Sequence, residues 1–350
     1  MKHLHIYTKE DLLSVVRIRR FETKLGERMQ VAADPNNVLS SIQSSSAKYV
    51  VFGVPEEIGV KANSGQGGAH TAWVPFLDSF LNMQSNDFLG GEEILLLGHF
   101  NFDEVARLIE ENAHDYEERL DAFRHAVNTI DDAVEQVVQI ITQCKKVPII
   151  IGGGHNNAYP CIKGAAKGWH KAGAIPLAQI NVVNLDAHAD YRPMEGRHSG
   201  NAFRYAEEDG YLSKYCVIGL HENYIPQNSW IDLVNNPFMD CITYEDIFVH
   251  EKRTWLQAIA HANGFTQDSV CGIEIDLDAI QNTLSSAMSP SGVSVAQARQ
   301  FVHFSAADHT VAYLHISEGV VQRADGLHDG TTGKLISYLV ADFIKAMTIE

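Results

Sequence analysis

Positive charge is scarce in this chain. Its 27 Lys and Arg stand against 44 Asp and Glu, a formal net charge of −17 over 350 residues. That deficit argues against a general nucleic-acid-binding surface and against adhesion to anionic membranes, since both need clustered cations. Cysteine is scarce as well. Cys144, Cys161, Cys216, Cys241 and Cys271 show no Cys-x-x-Cys spacing and lie mostly beside apolar runs, which predicts buried free thiols in a reducing compartment. No run reaches the roughly 18 apolar residues of a membrane-spanning helix. The opening ten residues lack a basic stretch followed by an apolar core, so the expectation is a cytoplasmic protein. Internal repeats and low-complexity tracts are also missing. What is there is 45% hydrophobic and 20% charged, the balance of a globular protein with a sizeable core.

Apolar runs of strand length recur at residues 49–55, 93–98, 147–151, 180–185, 215–220, 270–278 and 311–316. Between several of them apolar residues recur at three and four, as in Val105, Leu108 and Ile109, then Leu120, Phe123 and Val127, then Val134, Val137, Val138 and Ile141. Helices are predicted across 102–144 and again at 255–262, 295–304 and 334–346. Short buried strands alternating with helices indicate an α/β fold with a mainly parallel sheet, because parallel neighbours need long crossovers. Ahead of the first run, Thr8 and Asp11 read as a capping box for a helix over 12–20. Residues 1–46 read as an N-terminal arm outside the main sheet, and residues 47–350 as a single domain.

The stretch Asn184-Leu185-Asp186-Ala187-His188-Ala189-Asp190 holds the densest chemistry. It closes the run 180–185 and so reads as a strand end emerging from the sheet. If the extended conformation continues, Asp186, His188 and Asp190 point one way and the two alanines the other. Ligands of open α/β sheets bind beyond the carboxyl ends of strands. Two further strand ends offer donors there: His155 after Gly152-Gly153-Gly154, and Asp276 with Asp278, which again share a parity. Two imidazoles and four carboxylates exceed what one tetrahedral ion takes and suit two divalent ions bridged by carboxylate. The absence of thiolate favours manganese, although nickel, zinc, cobalt or iron bind the same donors. A phosphate-cradling role for the glycines fails on spacing: the dinucleotide fingerprint wants glycine where Asn157 stands, and no Gly-Lys-Ser/Thr follows. Their expected role is a turn tight enough to bring His155 to the site.

Gly-Gly-Gly-His, Asp-Ala-His-Ala-Asp and Asp-Leu-Asp, in that order, resemble the ureohydrolase family, which includes arginase, agmatinase and formimidoylglutamase. The resemblance runs from about Gly53 to Glu318. It implies a three-layer sandwich around a mainly parallel, roughly eight-stranded sheet. It also implies two Mn2+ per chain, or Ni2+ or another divalent ion in their place. His155, Asp186, Asp190 and Asp276 would hold one, and Asp186, His188, Asp276 and Asp278 the other, with Asp186 and Asp276 bridging. Asp190 or Asp276 would pass a proton to the leaving nitrogen, and Glu318, in Leu314-His315-Ile316-Ser317-Glu318, would face the substrate amidine. Gly53-Val54-Pro55 and the glycine-rich segment after it resemble the family's first active-site loop.

The departures from that pattern bear on substrate. Ser199-Gly200-Asn201-Ala202-Phe203 places Phe203 where arginase has a proton-shuttling histidine, and His198 and His221 are the candidate replacements. His221-Glu222-Asn223-Tyr224 stands where arginase has an Arg-Asp-x-Asp segment for the substrate ammonium, so only Glu222 keeps the charge. Ser199, Asn201, His221 and Glu222 are candidate substrate contacts. Arg192, Arg197 and Arg204 form a basic cluster in an acidic chain, and Arg192 and Arg197 are the candidates for gripping an anionic substrate. Glu274 shares the parity of Asp276 and Asp278, which places it beneath the metals or in a buried ion pair. The expected reaction is hydrolysis of N-formimidoyl-L-glutamate to L-glutamate and formamide, a step of histidine degradation. Arginase, agmatinase, guanidinobutyrase and guanidine hydrolase are alternatives within the class, and a metal-binding protein without catalysis is the alternative outside it. The resemblance further implies a homo-oligomer, a trimer or hexamer, whose partner is a small amidine rather than nucleic acid or membrane.

Overall fold

In the computed structural model, which describes residues 2–348, ten strands join one sheet. They are β1 (Leu4–Ile6), β2 (Gln30–Val31), β3 (Tyr49–Gly53), β4 (Ile94–Phe100), β5 (Val147–Ile151), β6 (Ile180–Leu185), β7 (Leu212–Leu220), β8 (Met239–Thr243), β9 (Cys271–Asp276) and β10 (Val311–Ser317). Their order across the sheet is β1, β4, β3, β5, β10, β9, β6, β7, β8, with β2 also paired to β4. Only β1 with β4 is antiparallel among these pairings.

Alternation along the strands divides the core into two layers. Val51, Ile149, Ile151, Ile273, Ile275, Leu314 and Ile316 pack on one face, with the helices Trp73–Phe80, Trp255–Thr266, Val295–Asp308 and Thr332–Ala346. Val50, Phe52, Ile150 and Val182 pack on the other, with Tyr116–Gln143 and Ala158–Lys171. The longer of these, Tyr116–Gln143, starts at Asp115, whose side chain accepts from the Glu118 amide, and buries Phe123, Val127, Ile130, Val134, Val138 and Ile141 along one stripe. Its neighbour can lie close because Gly164 has no side chain: a Cβ there would sit 2.6 Å from the Glu135 carbonyl oxygen.

Five expectations need correction. The sheet has ten strands rather than about eight, because β1 and β2 are too short for any periodicity to show and β8, Met-Asp-Cys-Ile-Thr, is half polar at the sheet edge. The first 46 residues do not stay outside the sheet. β1 lies along the end of β4, from Leu4 opposite Phe100 to Ile6 opposite Gly98, and β2 lies along its start. The capping box of Thr8 and Asp11 forms, but its helix is Lys9–Val15 and stops before the polar Arg17, whose amide donates to Asn82 instead. The predicted helical region 102–144 is two helices, Asp103–Asn112 and Tyr116–Gln143. All five cysteines are free, yet only Cys161, Cys216 and Cys271 are buried, while Cys144 and Cys241 are partly exposed.

Candidate functional site

β5, β10, β9 and β6 are consecutive in the middle of the sheet, and their carboxyl ends deliver the acidic and imidazole side chains to one place. After β5 the chain turns through Gly152 and Gly153 at φ of 89° and 75°, a region that favours glycine. A Cβ on Gly153 would meet the Val54 carbonyl oxygen at 2.7 Å, so the turn depends on a bare backbone. His155 follows at the start of the short turn His155–Asn157. Its Nδ1 lies 3.1 Å from Asp186 Oδ2, 2.9 Å from Asp190 Oδ2 and 3.2 Å from Asp276 Oδ2. His188 Nδ1 lies 3.2 Å from Asp278 Oδ2 and 3.7 Å from Asp186 Oδ1.

Strand alternation is not what brings these residues together. β6 stops at Leu185 and β9 at Asp276. In each case the first aspartate accepts from the amide two residues on: Asp186 Oδ1 from His188 at 2.7 Å, and Asp276 Oδ1 from Asp278 at 2.9 Å. This is an Asx turn, which short acidic side chains make locally. Asp190 and Glu318 are left-handed at φ of 44° and 60°, a strained conformation for residues with side chains and one that concentrates at functional sites.

Burial and mutual repulsion dominate the electrostatics. Burial, with Asp276 and Asp190 nearby, pushes the Asp186 carboxyl up to about 7. Burial and Asp276 push Glu318 up to about 8 and drive Asp278 well above the carboxylate range. Burial opposes charge on His155, yet the surrounding carboxylates raise its pKa well above the ordinary value. Both ring nitrogens of His155 and Asp278 Oδ1 are buried without a hydrogen-bond partner. Crowded carboxylates that resist ionisation, beside polar atoms left without partners, are what cation ligands look like when only protein atoms surround them. The donors fall into two groups, His155 with Asp186, Asp190 and Asp276, and Asp186 with His188 and Asp278, joined by Asp186. Their oxygen and imidazole donors suit divalent cations.

A cavity of about 330 Å³ adjoins them, lined by His188, Asp190, Asp276, Asp278 and Glu318 together with Arg192, Ser199, Tyr224 and Ser286. Glu318 Oε1 accepts from the His155 amide at 2.8 Å and Oε2 from the Ser286 hydroxyl at 2.6 Å. Arg192 donates to Asn63 Oδ1 at 2.7 Å and pairs with Glu195 at 2.9 Å, with its side chain 44% exposed. Tyr224 stacks on His188 with ring centroids 5.4 Å apart.

Arg197, Asn201, His221 and Glu222 do not line this cavity. Arg197 is buried and forks onto Asp131, at 2.9 and 3.2 Å, donates to the Asn156 carbonyl and Asn201 Oδ1, and lies over Tyr159 and Tyr205. It ties the loop after Asp190 to the long helix Tyr116–Gln143 and has no fork left for a substrate. Asn201 is consumed in the same network. His221 is sandwiched between Tyr224 and Tyr244, and Glu222 is exposed and accepts from Thr243. His198 cannot replace the shuttle either. It is buried, its Nδ1 accepts from the Gly200 amide, and burial with nearby Arg192 holds its pKa down to about 3. Phe203 packs edge-on to His155 at 5.3 Å, stacks on Tyr215 and does not line the cavity. Arg204 pairs with Asp232. Arg197→Lys should keep the charge and lose the fork, lowering stability by about 1.5–3 kcal/mol in denaturant titration while leaving the Michaelis constant unchanged.

Sequence reasoning missed Ser286, Asn63, Tyr313 and His315. Strand parity points to Glu274, and its partners lie on a neighbouring strand. Its Oε1 accepts from the Tyr313 hydroxyl and its Oε2 from His315 Nδ1, both at 2.6 Å, and Oε2 lies 3.4 Å from His155 Nε2. The pairing of β9 with β10 sets Glu274 against His315, and no periodicity in either segment announces which strands will be neighbours.

A family model described as the arginase family matches residues 47–319. A formimidoylglutamase of Geobacillus thermodenitrificans is 30% identical over 174 residues, 46% of this chain and 49% of the relative, so the chain aligns with about half the length of that protein. A formimidoylglutamase of Psychrobacter cryohalolentis is 25% identical over 288 residues, 77% of each chain. In fold, the formiminoglutamase of Trypanosoma cruzi solved with Mn2+ superposes with a TM-score of 0.67 at 20% identity, over 89% of this chain and 99% of that one. The formimidoylglutamase of Bacillus subtilis gives 0.69 at 17% identity, over 95% and 94%. With the family pattern matched across most of its length and the same three-layer architecture, the chain belongs to the arginase family.

Proposed function

We propose that this protein is a binuclear manganese hydrolase that cleaves a carbon–nitrogen bond of a linear amidine, and that its substrate is N-formimidoyl-L-glutamate, released as L-glutamate and formamide. The observation that carries the reading is one arrangement: two donor groups joined by Asp186, whose members His188, Asp190, Asp276 and Asp278 line a cavity together with Glu318 and Arg192. His155, Asp186, Asp190 and Asp276 would hold one ion, and Asp186, His188, Asp276 and Asp278 the other. A pair of divalent cations in such a site supplies hydroxide from water at neutral pH and Lewis acidity at the carbon under attack.

The chain's own residues account for the rest. Glu318 accepts from the amidinium and fixes the plane of its carbon over the donors, a charge-assisted hydrogen bond made by a buried carboxylate. Its two oxygens each keep a second lone pair beyond those used by the His155 amide and Ser286. Asp190, on the cavity wall beside His155, receives the proton of the attacking water and passes it to the leaving nitrogen, which departs as the amine of glutamate. Arg192 offers its guanidinium to a substrate carboxylate by exchange with Glu195.

A substrate panel tests the reading. Manganese-loaded enzyme is offered formimidoylglutamate, arginine, agmatine, guanidinobutyrate and guanidine, and the first is expected to give the highest kcat/KM. Preference for agmatine would reverse the assignment, because its tail is cationic. Arg192→Ala is expected to raise KM for formimidoylglutamate about tenfold with little change in kcat, since a tail contact is made equally in ground and transition states. Unchanged kinetics would remove Arg192 from the substrate site.

A further inference from the structure

Behind the metal donors, on the side away from the cavity, lies a polar group that the proposed chemistry does not use. Glu274, His315 and Tyr313 sit on β9 and β10 under the site, and all three are fully buried. A carboxylate so placed is costly unless its lone pairs are taken. Two donors take them, Tyr313 at Oε1 and His315 at Oε2, both at 2.6 Å. The same Oε2 faces His155 Nε2 at 3.4 Å, and that nitrogen has no hydrogen-bond partner of its own. The opposite ring nitrogen, Nδ1, points into Asp186, Asp190 and Asp276.

We infer that Glu274, held by Tyr313 and His315, is a positioning residue that accepts a hydrogen bond from Nε2–H of His155 and so presents the Nδ1 lone pair to the ion bound with Asp186, Asp190 and Asp276. A neutral imidazole has one N–H and one lone pair, and only the nitrogen with the lone pair binds a cation. An acceptor behind Nε2 fixes that choice and holds the ring plane. Among the described residues no carboxylate backs His188 in the same way: its ring stacks on Tyr224 instead, and its Nδ1 faces Asp278. The two sites are therefore built unequally. The His155 site depends on a buried carboxylate, and the His188 site does not.

The inference rests on the binuclear reading above, and the experiment separates the two. Manganese is titrated into metal-free protein, wild type and Glu274→Gln, by calorimetry, and cobalt is titrated in parallel while the visible absorption of each bound equivalent is recorded. Wild type should take two equivalents. In Glu274→Gln one equivalent should bind as in wild type and the other 10- to 100-fold more weakly, with its cobalt band shifted. A purely structural role would lower the melting temperature and leave both affinities and both bands in place, which would overturn the inference while the binuclear reading stands. Failure of wild type to take two ions would overturn both.

A third equivalent in wild type that disappears in Glu274→Gln would also overturn it, because His155, Glu274 and His315 would then be a ligand set themselves. If Glu274→Gln does not fold, Tyr313→Phe carries the same test. Removing one of the two donors that hold the carboxylate should weaken the same single equivalent by several-fold, and two unchanged affinities would again overturn the claim.

Discussion

Asp276→Asn is expected to lower turnover by more than about 100-fold and to cut the manganese content from two equivalents to one or fewer. Loss of an outer hydrogen-bond partner already costs about 10- to 100-fold in metal affinity or activity, so a ligand shared between two ions should cost more. Asparagine keeps the shape of the side chain and the oxygen that accepts from the Asp278 amide, so the turn that closes β9 should survive. What disappears is the negative charge beside His155, Asp186 and Glu318. Repulsion toward Asp186 and Glu318 eases while the pairing of Asp276 with His155 is lost, so the melting temperature of the metal-free protein should move little, whereas cations lose their shared counter-charge. Elemental analysis, melting temperature without metal and activity at limiting manganese check the three parts. Wild-type activity at limiting manganese would show that Asp276 is not a bridge.

How far this site could be read from the sequence depends on how local its chemistry is. Asp186 with His188 and Asp276 with Asp278 are legible because an Asx turn needs only two residues of spacing. His155 is legible because the glycines before it have to turn where a side chain would strike Val54. Alternation gave the right partners for the wrong reason: the side chains converge through turns, after the strands have ended. Arg192 and Arg197 show where local reading stops. Both follow Asp190 in a polar loop, and nothing in their neighbours separates the one on the cavity wall from the one buried on Asp131, 66 residues earlier in the chain. β1 and β2 were invisible for a related reason, since two or three residues pair with β4 only because the arm returns to it. β3, β4, β5, β6, β7, β9 and β10 carry enough buried Val, Ile and Leu to announce themselves.

Glu318→Gln is expected to lower kcat/KM for an amidine substrate by about 100- to 1000-fold with manganese content unchanged at two equivalents. The residue lines the cavity but lies outside both donor groups, so its loss should separate substrate orientation from metal binding. Its backbone is fixed before any substrate arrives: the Glu318 amide donates to the Gly153 carbonyl at 3.0 Å, and φ is 60°. Each carboxylate oxygen already accepts one protein donor, which sets the direction of the lone pairs that remain. Glutamine can keep its oxygen on the His155 amide, but its NH2 then replaces the oxygen facing Ser286 and the substrate. A donor would meet the N–H of an amidinium, turning a charge-assisted bond into a clash of donors. Because the amidinium loses planarity and charge as its carbon becomes tetrahedral, the contact both aligns the ground state and is remade during reaction, so kcat and KM should both suffer. An effect confined to KM would leave Glu318 as a binding residue only, and a loss of bound manganese in parallel would place it among the ligands instead.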